Sequence, residues 1–135
     1  MNTDAFVYHK SEGEYTEIGF LVYLRPWTTN AERSGNRWER QEKVKMWRGF
    51  FNTLGEDANL GTVTDAKIDV FLELRGRLQD TAACNPAIKA AIDGLVDAKV
   101  FIDDTGEHVK EICFHAPVRA KEDSVLLIVK GKNND

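Results

Sequence analysis

Cysteine is scarce in this chain of 135 residues: only Cys84 and Cys113 occur, in unrelated contexts and without a paired spacing. That excludes a disulfide-stapled scaffold and the common Cys-x-x-Cys zinc or redox motifs, so reduced, structural thiols are expected. No run of about eighteen or more apolar residues exists, so no membrane-spanning helix is expected. The opening residues MNTDAFVYHK lack the basic-then-apolar order of a secretory leader. A cytoplasmic protein with no membrane partner is the resulting expectation. Positive charge is also in deficit: 18 Lys and Arg stand against 22 Asp and Glu, a net charge of -4 at pH 7. Such a chain does not coat nucleic acid through bulk electrostatics, and any contact with it has to be local.

What is present is enough apolar material, 42% of residues, for one domain over 1–135 with its own core. The charge is unevenly spread. From Arg25 to Arg48 seven basic residues face three Glu, a net +4, which leaves -8 for the rest of the chain. Glu and Lys or Arg in helical register make this segment equally readable as a solvated amphipathic helix.

Hydrophobic periodicity divides the chain into alternating elements. Glu17 to Arg25 (EIGFLVYLR) predicts a core strand ending at Pro26, and Ala5 to His9 a shorter one. Ser11 to Glu14 supplies turn residues, so residues 1–16 are expected to contribute an N-terminal hairpin. Thr28 to Asn36 reads as a polar loop, and the recurrence of Trp38, Val44, Trp47, Phe51 and Leu54 predicts a helix over 37–54. Asp65 to Arg75 alternates Ile68, Val70, Leu72 and Leu74 against Asp69, Phe71, Glu73 and Arg75, a half-buried strand. Asn85 as cap and Pro86 in the first turn predict a second helix to about Ala98, burying Ile88, Ala91, Ile92, Leu95 and Val96. Strands over 109–116 and 124–130 follow, joined by a polar loop from Pro117. The order implies an α/β (α+β) two-layer sandwich, a mixed β-sheet with two main helices.

Several carboxylates fall at element ends: Asp80 after the long strand, and Asp103 with Asp104 after the second helix. Hard cations such as Mg²⁺ take one or two protein carboxylates plus water and phosphate oxygens, and a metal so held activates water for phosphodiester hydrolysis. Adjacent Asp residues before Thr-Gly are also ordinary turn chemistry. His108, four residues after Asp104, is a further candidate beside a metal or a surface histidine. His9 and His115 have no partner at ligand spacing, and Trp27, Trp38 and Trp47 read as core or dimer-contact aromatics.

The stretch Asp80 to Asp104 (DTAACNPAIKAAIDGLVDAKVFIDD) resembles the signature of the RusA family of Holliday-junction endonucleases. In that signature an Asp is followed by Lys-Ala, an Asp four after the Lys, a Leu and a final Asp-Asp. Asp80, Lys89, Ala90, Asp93, Leu95, Asp103 and Asp104 stand at those places. Upstream, Pro26, Asn30, Arg33 and the basic segment from Arg37 to Arg48 follow the family's order, so the likeness spans roughly Leu24 to Lys130. The resemblance implies a RusA-like fold, often phage or prophage encoded, acting as a homodimer on branched DNA in recombination and repair. It implies Mg²⁺, or Mn²⁺, held by Asp80, Asp103 and Asp104, with Lys89 against the scissile phosphate and Asp93 close by. It assigns Asn30, Arg33, Arg37, Arg40, Lys43 and Arg48 to the nucleic acid. Three departures stand out: Ala82 replaces a second Asp that many members use as a ligand, Ala83 replaces the usual Asn, and the spacing to Lys89 is longer. A nucleic-acid-binding relative with impaired catalysis, an RNA-directed nuclease, and an interaction domain are the alternatives.

Overall fold

The computed structural model describes residues 4–134, apart from the side chains of Glu32 and Ser34. Nine elements follow one another: β1 (Ala5–Glu12), β2 (Tyr15–Val22), α1 (Thr29–Ser34), α2 (Arg37–Ala58), β3 (Val63–Leu74), α3 (Asn85–Asp97), β4 (Val109–Phe114), β5 (Val118–Arg119) and β6 (Ser124–Asn133). Residues 1–3 of the expected N-terminal hairpin lie outside the described residues. The hairpin forms, with longer arms and a tighter turn than expected: Ser11 and Glu12 belong to β1, β2 begins at Tyr15, and the two pair antiparallel from Ala5↔Val22 to Glu12↔Tyr15. Gly13, at φ 62°, takes the left-handed turn position that costs a residue without a Cβ nothing.

The six strands make one mixed sheet in the order β1-β2-β6-β3-β4, with β5 also on β3. β6 runs antiparallel between β2 and β3, and β4 and β5 run parallel to β3. It follows that β2, β3, β4 and β5 share one direction. The chain therefore leaves β2 and β3 at the same edge of the sheet and enters a helix each time.

One face of the sheet is apolar and covered. Ile18, Phe20 and Val22 of β2, Ile68, Val70, Leu72 and Leu74 of β3, and Val125, Leu127 and Val129 of β6 are buried against α2 and α3. The period-two burial of β3 is the expected one, with Asp69, Phe71 and Glu73 on the other face. On α3, Ile88, Ala91, Ile92 and Leu95 are buried as expected, while Val96 is only partly so. On α2, Trp47 stacks on Phe51 at 5.9 Å between ring centroids and meets Trp27 edge-on at 5.7 Å. Trp38, by contrast, is 76% exposed, so the helical period that predicted it with the core overran the buried stripe by one turn.

α2 and α3 approach backbone to backbone. A Cβ on Gly94 would lie 2.3 Å from the Arg48 carbonyl oxygen, so only glycine permits this crossing. Gly55 meets Ala98 and Val100 further along, so the two helices run in the same direction.

Four local expectations differ from the structure. The polar loop 28–36 contains the short helix α1, whose first turn is capped by the Thr28 hydroxyl accepting from the Ala31 amide at 3.2 Å. α2 runs four residues beyond Leu54 and stops at Asn59, a left-handed C-cap with φ 48°. α3 is preceded by Cys84, not capped by Asn85, whose own amide instead donates to the Ala82 carbonyl at 3.1 Å in the turn before the helix. The tract after Pro117 also carries β5 before β6 begins.

Burial pushes the Cys84 thiol up to about 11. At pH 8 its thiolate fraction is then on the order of one in a thousand, and thiolate is the reactive form. Under native conditions an alkylating reagent is expected to label Cys113, which is partly exposed, and to leave Cys84 unmodified until denaturant is added. Peptide mapping after timed labelling checks this; equal labelling of both would contradict the buried position of Cys84.

Candidate active site

A cleft of about 620 Å³ opens where the chain leaves β2 and β3. Its walls come from Arg25 to Thr28 after β2, Asn30 and Ala31 of α1, Lys43 of α2, and Arg77 to Asp80 with Ala83 before α3. A crevice outside the carboxyl ends of parallel strands is the common ligand position in open α/β sheets. Arg25, Lys43 and Arg77 against Asp80 give these lining residues a net +2 in a chain of net -4.

The cleft is held open by hydrogen bonds that join distant segments. The Arg25 guanidinium donates to the carbonyl oxygens of Arg75 (3.1 Å) and Arg77 (2.7 Å) and to Asp123 Oδ1 (3.1 Å). Gln79 Nε2 donates to the Pro26 carbonyl at 2.7 Å, tying the two exit loops together. The Thr29 amide donates to the Ala83 carbonyl at 2.9 Å, so the start of α1 is anchored to the turn before α3. Gln79 Oε1 is buried with no partner among the described residues, an acceptor left available on the cleft wall.

Asp80 sits in this cleft with Asn30 and Lys43, three residues from three separate parts of the chain. It is exposed, and its carboxylate has neither a hydrogen bond nor an ion pair among the described residues. Between Asp80 and α3, Ala82 adopts φ 71°, a left-handed conformation that costs a residue with a Cβ roughly 1–2 kcal/mol.

The other acidic candidates lie along α3 and the segment after it. Lys89 Nζ donates to Asp93 Oδ1 at 2.9 Å, one turn along the helix, and to Asp104 Oδ2. The Lys89 ammonium holds Asp104 below the ordinary carboxylate range, and hydrogen bonds to Asp104 and Asp93 raise Lys89 in turn. Asp103 points elsewhere: its carboxylate accepts from the Thr105 hydroxyl at 2.6 Å and the Thr105 amide at 3.0 Å, which lowers its pKa. It therefore has the turn-forming geometry that adjacent Asp before Thr-Gly also predicts.

Asp80, Asp103 and Asp104 do not form a compact group of ligands among the described residues. Asp80 lines the cleft, and neither Asp103 nor Asp104 does. His108 Nδ1 is 3.0 Å from the Thr64 hydroxyl, on the β3 side of the segment.

The basic residues expected at nucleic acid divide into separate groups. Asn30 and Lys43 line the cleft. Arg33 is exposed in the last turn of α1. Arg37, Arg40 and Arg48 line a shallower groove along α2. Arg48 is engaged there in a two-pronged pair, Nε to Asp97 Oδ2 at 2.6 Å and Nη2 to Oδ1 at 2.9 Å, which links α2 to α3.

His115 does have a partner: its Nε2 lies 2.9 Å from Asp69 Oδ1, and its ring stacks on Phe71 at 4.2 Å. Cys113 stands beside both, so that Asp69, Cys113 and His115 offer ligand atoms all within 4.8 Å of one another. The sequence signal was the i, i+2 spacing of Cys113 and His115 on a strand, which places both on one face.

Fold and site together define a mixed α/β protein with a cationic cleft at the carboxyl ends of its parallel strands. No family model matches the chain, and no curated protein matches it. Among the described residues no helix is long and apolar enough to cross a membrane.

Proposed function

We propose that the cleft between the β2 and β3 exits receives the sugar-phosphate backbone of branched DNA, and that the protein cleaves it as a RusA-like, Mg²⁺-dependent homodimeric endonuclease. The observation that carries this reading is the meeting of Asp80, Asn30 and Lys43 in one cationic cleft of an otherwise acidic protein. Local neutralisation by Lys43 and Arg77 positions phosphates without reading bases, as selection by DNA structure requires. Asn30 adds a neutral hydrogen-bonding group beside them.

Mg²⁺, or Mn²⁺ in its place, would be held by Asp80 and Asp104 with water completing its shell, and would supply an activated water and charge neutralisation at the phosphate. Lys89 stays protonated, because Asp104 and Asp93 hold its charge. It is the cation this reading assigns to the charge that builds on the phosphate oxygens.

The test is incubation with a four-way junction, a linear duplex and structured RNA, each with Mg²⁺, Mn²⁺ or chelator. Junction-selective, metal-dependent cleavage is the expected result. Failure both to cleave and to bind any of the three in a salt-sensitive way would reject the reading.

A second reading, binding without cleavage, is favoured by Ala82 in the turn and by the engagement of Asp104 with Lys89. Ala82→Asp separates the two. Asp tolerates the left-handed backbone better than Ala and adds an oxygen ligand two residues from Asp80. If the cleft is catalytic, this variant is expected to cleave at a Mg²⁺ concentration about tenfold lower than the parent chain requires. An unaltered metal requirement favours a binder.

A further inference from the structure

The face of the sheet turned away from the helices carries a second arrangement of ligating atoms, unrelated to the cleft. Asp69 of β3 is paired directly with Cys113 of β4, and His115 follows two residues later with its amide bound to the Val70 carbonyl. Strand alternation sends all three side chains to that same face. Phe71, one pleat along, stacks on the imidazole with an interplanar angle of 13° and fixes its plane. Ile128, paired with Asp69 on the β6 side, provides the opposite, apolar flank.

We propose that Asp69, Cys113 and His115 bind a Zn²⁺ ion, with a fourth coordination position open to solvent. A thiolate, an imidazole and a carboxylate form a donor set of mixed softness that suits zinc and disfavours Mg²⁺, which demands oxygen ligands. Bond lengths of about 2.0–2.3 Å in a tetrahedral site put ligand atoms roughly 3.3–3.8 Å apart. The three atoms already lie within 4.8 Å of one another, and the 2.9 Å His115–Asp69 contact has to open by less than about an ångström to admit the ion. Side-chain torsions supply a shift of that size without moving either strand. Three protein ligands and one open position is the arrangement of zinc sites that bind a water or an outside ligand, whereas closed structural sites use four. The open position faces out, since the His115 side chain is 40% exposed while Asp69 is 13% exposed.

The experiment uses the full chain and Co²⁺ as a spectroscopic stand-in for zinc. Titration is expected to show one equivalent bound, with a thiolate-to-cobalt charge-transfer band in the near ultraviolet, and Zn²⁺ is expected to displace the cobalt and abolish that band. With two cysteines in the chain the assignment is direct: Cys113→Ser is expected to lose the band and weaken Zn²⁺ binding by at least about a hundredfold, while Cys84→Ala keeps it. Asp80→Asn is expected to keep it as well, which separates this site from the cleft. His115→Gln provides an independent check, with at least a tenfold loss of Zn²⁺ affinity expected. Absence of the thiolate band in the parent chain, or unchanged Zn²⁺ affinity in the Cys113 and His115 variants, overturns the proposal and leaves Asp69–His115 as a hydrogen-bonded pair alone.

Discussion

Asp80→Asn is expected to reduce Mg²⁺-dependent junction cleavage by about two to three orders of magnitude while leaving junction affinity equal to or above that of the parent. The variant keeps the shape of the residue and removes its charge. If the carboxylate holds the metal, transition-state stabilisation worth several kcal/mol disappears, which corresponds to a fold-change of about that size. The same substitution removes the negative charge from a cleft otherwise lined by Arg25, Lys43 and Arg77, so phosphate binding does not suffer. Cleavage rates under single-turnover conditions, beside equilibrium binding with chelator, measure both effects. A loss of binding in parallel with cleavage would make Asp80 a structural residue; unchanged cleavage would remove it from the site.

Trp47→Ala carries the largest expected cost to stability, about 3–5 kcal/mol in urea unfolding. Trp47 is 2% exposed, stacked on Phe51 and edge-on to Trp27, so its removal leaves a cavity where α2 meets the core. The consequence extends to the proposed function, because Trp27 is also part of the cleft wall. Weaker junction binding by the folded fraction is expected to accompany the lower midpoint. A loss below about 1 kcal/mol would contradict the packing described.

The parts of this fold that were legible in the sequence are those where one face of an element is buried. Ile68, Val70, Leu72 and Leu74 alternate because β3 has a covered side and an open one, and the apolar positions of α3 recur because that helix lies on the sheet. α1 left no such trace. Its residues are polar, and the helix is set by the Thr28 cap and by the tether of Thr29 to Ala83, which is distant in sequence.

The sites divide in the same way. Lys89 and Asp93 are helical neighbours by spacing, but the arrival of Asp104 on Lys89 depends on the return of the chain after α3. Asp80, Asn30 and Lys43 come together because β2 and β3 point the same way with β6 between them. Cys113 and His115 share a strand face by spacing alone, whereas Asp69 joins them only because β4 is placed beside β3. Residue types and local periods carry no information about strand order, and each of these constellations depends on it.

Acidic composition and basic cleft lead to one physical proposition, that phosphate-bearing strands enter between the exits of β2 and β3. Backbone amide shifts of the isotopically labelled chain, titrated with a four-way junction in chelator to prevent cutting, test it most directly. The expected perturbations fall on Thr28, Asn30, Lys43 and residues 77–83, with the outer sheet face around Cys113 unaffected. Perturbations confined to that outer face, or to the Arg37–Arg40 stretch of α2 with the cleft silent, would contradict it.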